Sequence, residues 1–173
     1  MRTLWDREMQ AEVESIESMA SPARLELARR VIAWTVSVLP VESAALLDSD
    51  AGEWVRSAVR MIDAAAEGLE VSEDDVDEIE DELLELADDM DYVPLWQLFN
   101  GLVYAVGVSS TEMGGQTTVE ILSACYDVVR DCEDLPESVE PEAEEVVLAR
   151  EMANDRCRAA IERQRAFVRE AGV

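Results

Sequence analysis

Forty carboxylates and three thiols carry most of the chemistry open to this chain of 173 residues, because it has no histidine and no lysine and all fourteen cations are arginine. Without imidazole there is no Ser-His or Cys-His dyad and no imidazole metal ligand. Carboxylate-bridged di-iron bundles fail for the same reason, since they use a Glu-x-x-His pair. Carboxylates alone can do general acid–base work, but nothing in the sequence marks a pair among the forty. The thiols are Cys125, Cys132 and Cys157, an odd number without tight spacing, which is no disulfide framework. Cys125 and Cys132 on one helix would stand about 10 Å apart along its axis, too far to bridge. All three are expected to be buried, reduced thiols.

Metal chemistry finds as little. DSDAGEW, from Asp48 to Trp54, has two aspartates and a glycine as a calcium loop would, but its twelfth position is Val59 instead of a bidentate glutamate. Divalent cations would be drawn to Asp74, Asp75, Asp88 and Asp89 without specificity. The sequence therefore predicts no enzyme, no catalytic residues, no metal site and no cofactor.

The distribution of charge says more. A formal net charge of −26 repels nucleic acid and anionic membranes and attracts cations and basic proteins. No base occurs between Arg60 and Arg130, a window that holds 18 of the acids. Its centre is VSEDDVDEIEDELLELADDMD, Val71 to Asp91, with twelve acids. Here Val76, Ile79, Leu83, Leu86 and Met90 recur at spacings of 3, 4, 3 and 4, one apolar seam on a helix. Ser72 and Asp75 resemble a capping box. Glu73, Asp74 and Asp75 suit the N-terminal end of the helix dipole, whereas Asp88, Asp89 and Asp91 oppose it at the other end.

The elements that would position this helix are also helical. Apolar periodicity predicts helices over Thr3 to Ala20 (Trp5, Met9, Val13, Ile16, Met19 inward), Ala23 to Leu39 after a Ser21-Pro22 start, and Glu53 to Glu67 before a Gly68 cap. A short helical turn falls at Glu42 to Leu47. Leu95 to Val108 is apolar on nearly all sides and belongs in the middle of the fold; the run from Val93 is too short to span a bilayer. Thr117 to Cys132 follows. EDLPESVEP, Glu133 to Pro141, reads as an acidic loop. A last helix from Glu142 to Ala171 would be roughly 45 Å long. Val146, Ala149, Met152, Ala153, Cys157, Ala160, Ile161, Phe167 and Val168 mark its inner side. The expectation is a single all-α domain over 1–173, a bundle of six or seven mostly antiparallel helices with a long C-terminal helix.

Four segments in this order, RLELARRVIAWTVSVLP (Arg24 to Pro40), VRSAVRMIDAAAEGL (Val55 to Leu69), MDYVPLWQLFNGLVYAV (Met90 to Val106) and NDRCRAAIERQRAFVREAG (Asn154 to Gly172), resemble a bacterial helical family of unknown function typified by the YjaG protein. The resemblance is one of helix order and character over about two thirds of the chain. It implies a compact all-helical fold and carries no catalytic residues across.

Two functional expectations follow. One is a non-catalytic, cytoplasmic binding protein, of the kind that immunity proteins and antitoxins represent, which neutralises a basic toxin, nuclease or DNA-binding domain by imitating the charge of nucleic acid. Its docking face would be Glu73, Asp74, Asp77, Glu78, Asp81, Glu85, Asp88 and Asp89. The other is a structural or housekeeping helical protein whose acidity is an adaptation to salt. An acidic run on an amphipathic helix is most often a solvated face, and segregated charge is what a uniform habitat effect would not produce. The chain would bind neither nucleic acid nor membrane, and an apolar side left over on the final helix would support a homodimer.

Overall fold

The computed structural model describes residues 2–136 and 142–172. Among the described residues every regular element is helical: α1 (Leu4–Glu8), α2 (Gln10–Ser18), α3 (Ser21–Ser37), α4 (Val41–Ala45), a 3-10 turn (Leu46–Asp48), α5 (Asp50–Ala66), α6 (Glu73–Asp88), α7 (Val93–Gly107), α8 (Gly115–Asp131), α9 (Glu144–Ala153) and α10 (Asp155–Ala171). The all-α class is as expected, but there are ten α-helices where six or seven were predicted. Of the expected loop at Glu133 to Pro141, residues 137–141 lie outside the described residues.

Two of the additional helices come from breaks with identifiable causes. At Met9 the Arg165 guanidinium donates to the Glu8 carbonyl. That carbonyl is thereby withdrawn from the ladder, and the Glu12 N–H turns to Met9 O at 2.8 Å. At Asn154 the backbone is extended, and the side-chain oxygen accepts from the N–H groups of Arg156 and Cys157, both at 2.9 Å. Asn154 is thus the N-cap of a new helix. The break resets the helical phase: α9 buries Leu148 and Glu151, while Val146, Ala149, Met152 and Ala153, all predicted to face inward, are exposed. Beyond it the prediction holds, with Cys157, Ala160, Ile161, Phe167 and Val168 buried. The apolar side of α10 is therefore in the core.

Three smaller expectations change. Ser21 lies inside the first turn of α3 and does not cap it; its hydroxyl accepts from the Met113 N–H at 2.8 Å, tying the α7–α8 loop down. Ser72 has the extended backbone of an N-cap but makes no capping side-chain bond. Gly52, the glycine of the calcium-like stretch, is inside α5, where a Cβ would stand 1.6 Å from Leu47 O. That close crossing, with no role in coordination, requires a glycine. Gly68, at φ 77°, ends α5 as predicted: Gly68 N–H bonds Ala65 O and Leu69 N–H bonds Ala64 O, a Schellman cap.

A single apolar cluster draws on every one of the longer helices. At its centre α7 packs on both α8 and α6, and α3 packs on α8 and α5. The crossing of α7 with α8 is tight at Gly101, where a Cβ would be 3.3 Å from the Ala124 Cβ. α7 is not apolar-buried all round, however. Leu95, Leu98, Phe99, Leu102, Ala105 and Val106 are buried, but Val93, Trp96 and Tyr104 face solvent.

The α6 seam is in place: Val76, Ile79, Leu83 and Ala87 are buried, and Leu86 and Met90 partly so. Leu83 is 0% exposed and its neighbour Leu84 43%. Leu83→Asp is expected to cost more than about 4 kcal/mol, because it leaves an unpaired charge in the core. Leu84→Asp should stay within about 1 kcal/mol. Urea melts followed by circular dichroism check the contrast; equal losses would mean that α6 is not docked by this seam.

Candidate acidic interface

The seam decides which way the carboxylates of α6 point. Ten of its sixteen residues are acidic. With the apolar strip turned inward, Glu73, Asp74, Asp77, Glu78, Asp81, Glu85, Asp88 and Asp89 are all exposed on the remaining half of the helix surface. Seven of the eight predicted positions thus lie on α6, and the eighth, Asp89, is its C-cap residue. The prediction left out Glu80, which is half-buried against α7, its carboxylate oxygens 3.5 Å from where a Cβ on Gly107 would stand.

No arginine neutralises this face: among the described residues, none of the eight takes part in an ion pair. Many of the cations are engaged elsewhere. Arg29 joins Glu26 and Asp63, Arg30 meets Glu170, Arg130 joins Asp127 and Asp131, Arg150 grips Glu142 with two nitrogens, and Arg165 reaches Glu8 and Glu12. Arg24 closes the end of α2 by donating to the carbonyls of Ile16 and Glu17, and also reaches that of Met113. Arg30 and Arg163 lie on the Phe167 ring, each 4.5 Å from its centroid. The sequence segregation of charge is therefore a segregation in use: arginines hold the fold together away from α6. The last turn of α6 has no base to offset Asp88 and Asp89, a local cost of about 0.3–1 kcal/mol per charge at low salt.

A groove of about 690 Å³ opens at the N-terminal end of α6, between Ser21 and Leu25 of α3, Gly68 to Asp74, and Ser109 to Thr111. Glu70, Glu73 and Asp74 on its wall make it part of the negative face. Asp48 and Asp50 are exposed, and among the described residues no three Asp, Glu or Cys side chains converge as a metal ion would require.

Sequence reasoning missed the buried polar groups. Glu151 is 2% exposed, and one of its carboxylate oxygens accepts from the Leu4 N–H at 2.7 Å and the Tyr126 hydroxyl at 2.8 Å. It thereby caps the first turn of α1 with a charge that suits a helix N-terminus. Gln164 accepts from the Trp5 indole at 2.7 Å and donates to Leu122 O at 2.9 Å. Both clusters tie the N-terminal helices to α8, α9 and α10. The only sequence signal was a polar residue at a core phase of its helix. Cys125 and Cys157 are buried and Cys132 half-buried, all free thiols. Burial pushes Cys125 up to about 12 and Cys157 up to about 11, so neither is a thiolate at neutral pH.

Among the described residues Asp127 is the one carboxyl raised toward neutrality, from 3.8 to about 6, chiefly by burial, which outweighs the pull of Arg130. Asp131, Asp6 and Glu151 push in the same direction as burial. Its Oδ1 is 2.8 Å from Arg130 but off the hydrogen-bonding axis. A carboxyl of this kind is a mark of acid–base sites, yet this one is locked against its own helix by Arg130, away from the groove.

Comparison of the chain with protein-family models, with curated proteins and with solved structures finds no match.

Because the folded Asp127 binds its proton more tightly than the unfolded one, its ionisation opposes folding above about pH 6 and that opposition fades between about 6 and 3.8. Wild type should therefore gain about 1–2 kcal/mol more stability than Asp127→Asn on going from pH 7 to pH 5, on the scale of 1.36 kcal/mol per unit. Parallel urea melts measure the difference; identical pH profiles would rule the assignment out.

Proposed function

We propose that the protein is an acidic, non-catalytic binding module whose α6 face engages a basic protein, in the manner of an immunity protein or antitoxin that blocks a basic toxin, nuclease or DNA-binding domain. The observation that carries it is the exposure of all eight carboxylates on α6 with no arginine paired to any of them. A rigid helix bearing unneutralised charge at regular intervals matches a surface shaped to hold phosphates, steers association and occupies the substrate's place. The unfavourable Asp88 and Asp89 fit the same reading, since charge that weakens the helix is retained where a partner would use it.

The second reading, a structural or housekeeping helical protein adapted to salt, is favoured by exposed acids on other helices, among them Glu14, Glu17, Glu42, Glu53 and Glu120. The cytoplasm as its compartment also belongs to the proposal; among the described residues no single helix is long and apolar enough to cross a membrane. Kinship with the YjaG-like helical family is likewise proposed, supported by the four resembling segments falling largely on α3, α5, α7 and α10.

Immobilised protein incubated with extract of its own cells at about 0.05 M salt, where the Debye length exceeds 10 Å, is expected to retain a basic protein that elutes by about 0.5 M. Retention of none, together with a fold that requires molar salt, would overturn the proposal in favour of salt adaptation.

A further inference from the structure

α6 and α7, joined by a short connection, pack on each other, and the outward side of the pair has an apolar strip beside the acidic one. On α7, Val93, Trp96, Asn100, Val103 and Gly107 follow one another at helical spacing, with Tyr104 next to them. Val93 is 51% exposed, Trp96 42% and Tyr104 49%. Glu80 borders this strip, its carboxylate lying at Gly107. Through Glu80 the outer row of α6 can be traced: Glu73, Asp77, Glu80, Leu84 and Asp88 recur at spacings of 4, 3, 4 and 4, and Leu84 is 43% exposed. Single exposed apolar side chains are ordinary; Val93 and Trp96 on adjoining turns of α7, with Tyr104 two turns on and Leu84 on α6, form a patch.

We propose that this outer α6–α7 groove is a docking site for a basic amphipathic helix. Its apolar side would lie on Trp96, Val93 and Leu84, and its Arg or Lys residues would reach the α6 carboxylates. The inference rests on the acidic-interface reading and narrows it, from a charged face to a groove with an apolar floor and a chosen class of partner. Charge selects the occupant. A second copy of the chain would bring another −26 to the same place, and an anionic lipid surface is repelled as well. A helix with bases on both sides of an apolar strip satisfies both rows at once, and an Arg stacked on Trp96 adds a cation–π contact. Buried aromatic anchors with charge at the rim are also how binding energy is commonly concentrated.

The probe is a synthetic peptide of Leu and Arg about five turns long with the leucines on one helical face, and a permuted peptide of the same composition without that face. Fluorescence anisotropy at about 0.1 M salt should show the amphipathic peptide binding roughly tenfold more tightly than the permuted one. Trp96→Ala should abolish that preference while leaving the permuted peptide's weaker binding in place. Trp96 is exposed, so the fold should survive, and Tyr104→Ser on the same strip is the second variant should it not. Equal binding of both peptides would overturn the groove and leave the charged face standing. Binding of neither would also overturn the groove, with capture of a basic protein from extract then deciding the face independently. Self-association of the wild type that Trp96→Ala abolishes would assign the groove to a second copy instead.

Discussion

Burial of Val76, Ile79, Leu83 and Ala87 between α6 and its neighbours α7 and α5 is the constraint on which the rest depends. A helix with ten acids in sixteen residues and no base repels itself at nearly every turn. Like-charge pairs three or four residues apart cost about 0.2–0.5 kcal/mol each, whereas a buried Val, Ile or Leu contributes about 1.5–3 kcal/mol. Three such side chains outweigh the repulsion, and Leu83, with no exposure at all, contributes most. The same seam that makes the helix stable turns every predicted acid outward.

That seam needs a firm surface to pack on, and α7 supplies it. Gly101 lets α7 approach α8 closely, and Leu95, Leu98, Phe99, Leu102 and Val106 fill the space between its neighbours. The polar groups deeper in the molecule serve the same end. Glu151 and Gln164 fasten the N-terminal helices to the C-terminal ones, and the arginines bind carboxylates and carbonyls throughout that half. Many of the arginines are spent in holding the fold, and none of them is paired with the exposed carboxylates of α6.

Where the sequence is periodic, it is a good guide. The 3-4-3-4 spacing fixes the buried side of α6, and Gly68 marks the end of α5, because both depend on neighbours within the same helix. Breaks and polar burial depend on residues far apart in the chain. Arg165 opens the helix at Met9 from more than 150 residues away, and nothing local announces it. The Asn154 break was legible, since Asn before Asp-Arg is an N-cap signal, but the apolar spacing across it suggested continuity and so misplaced Val146, Ala149 and Met152. The exposed side of α7 was hidden for a different reason. Trp96 and Tyr104 are apolar enough to be taken for core, and only the positions of α6 and α8 show which third of the helix is left uncovered.

The central claim is that the carboxylates of α6 serve a partner at some cost to the fold. Its most direct measurement pairs thermal stability with partner retention for a protein carrying Asp74→Asn, Asp77→Asn, Glu78→Gln and Asp81→Asn together. Relief of repulsion should raise the melting temperature at low salt while retention of the basic protein is lost. A lower melting temperature, or retention unchanged in the neutralised protein, would contradict it.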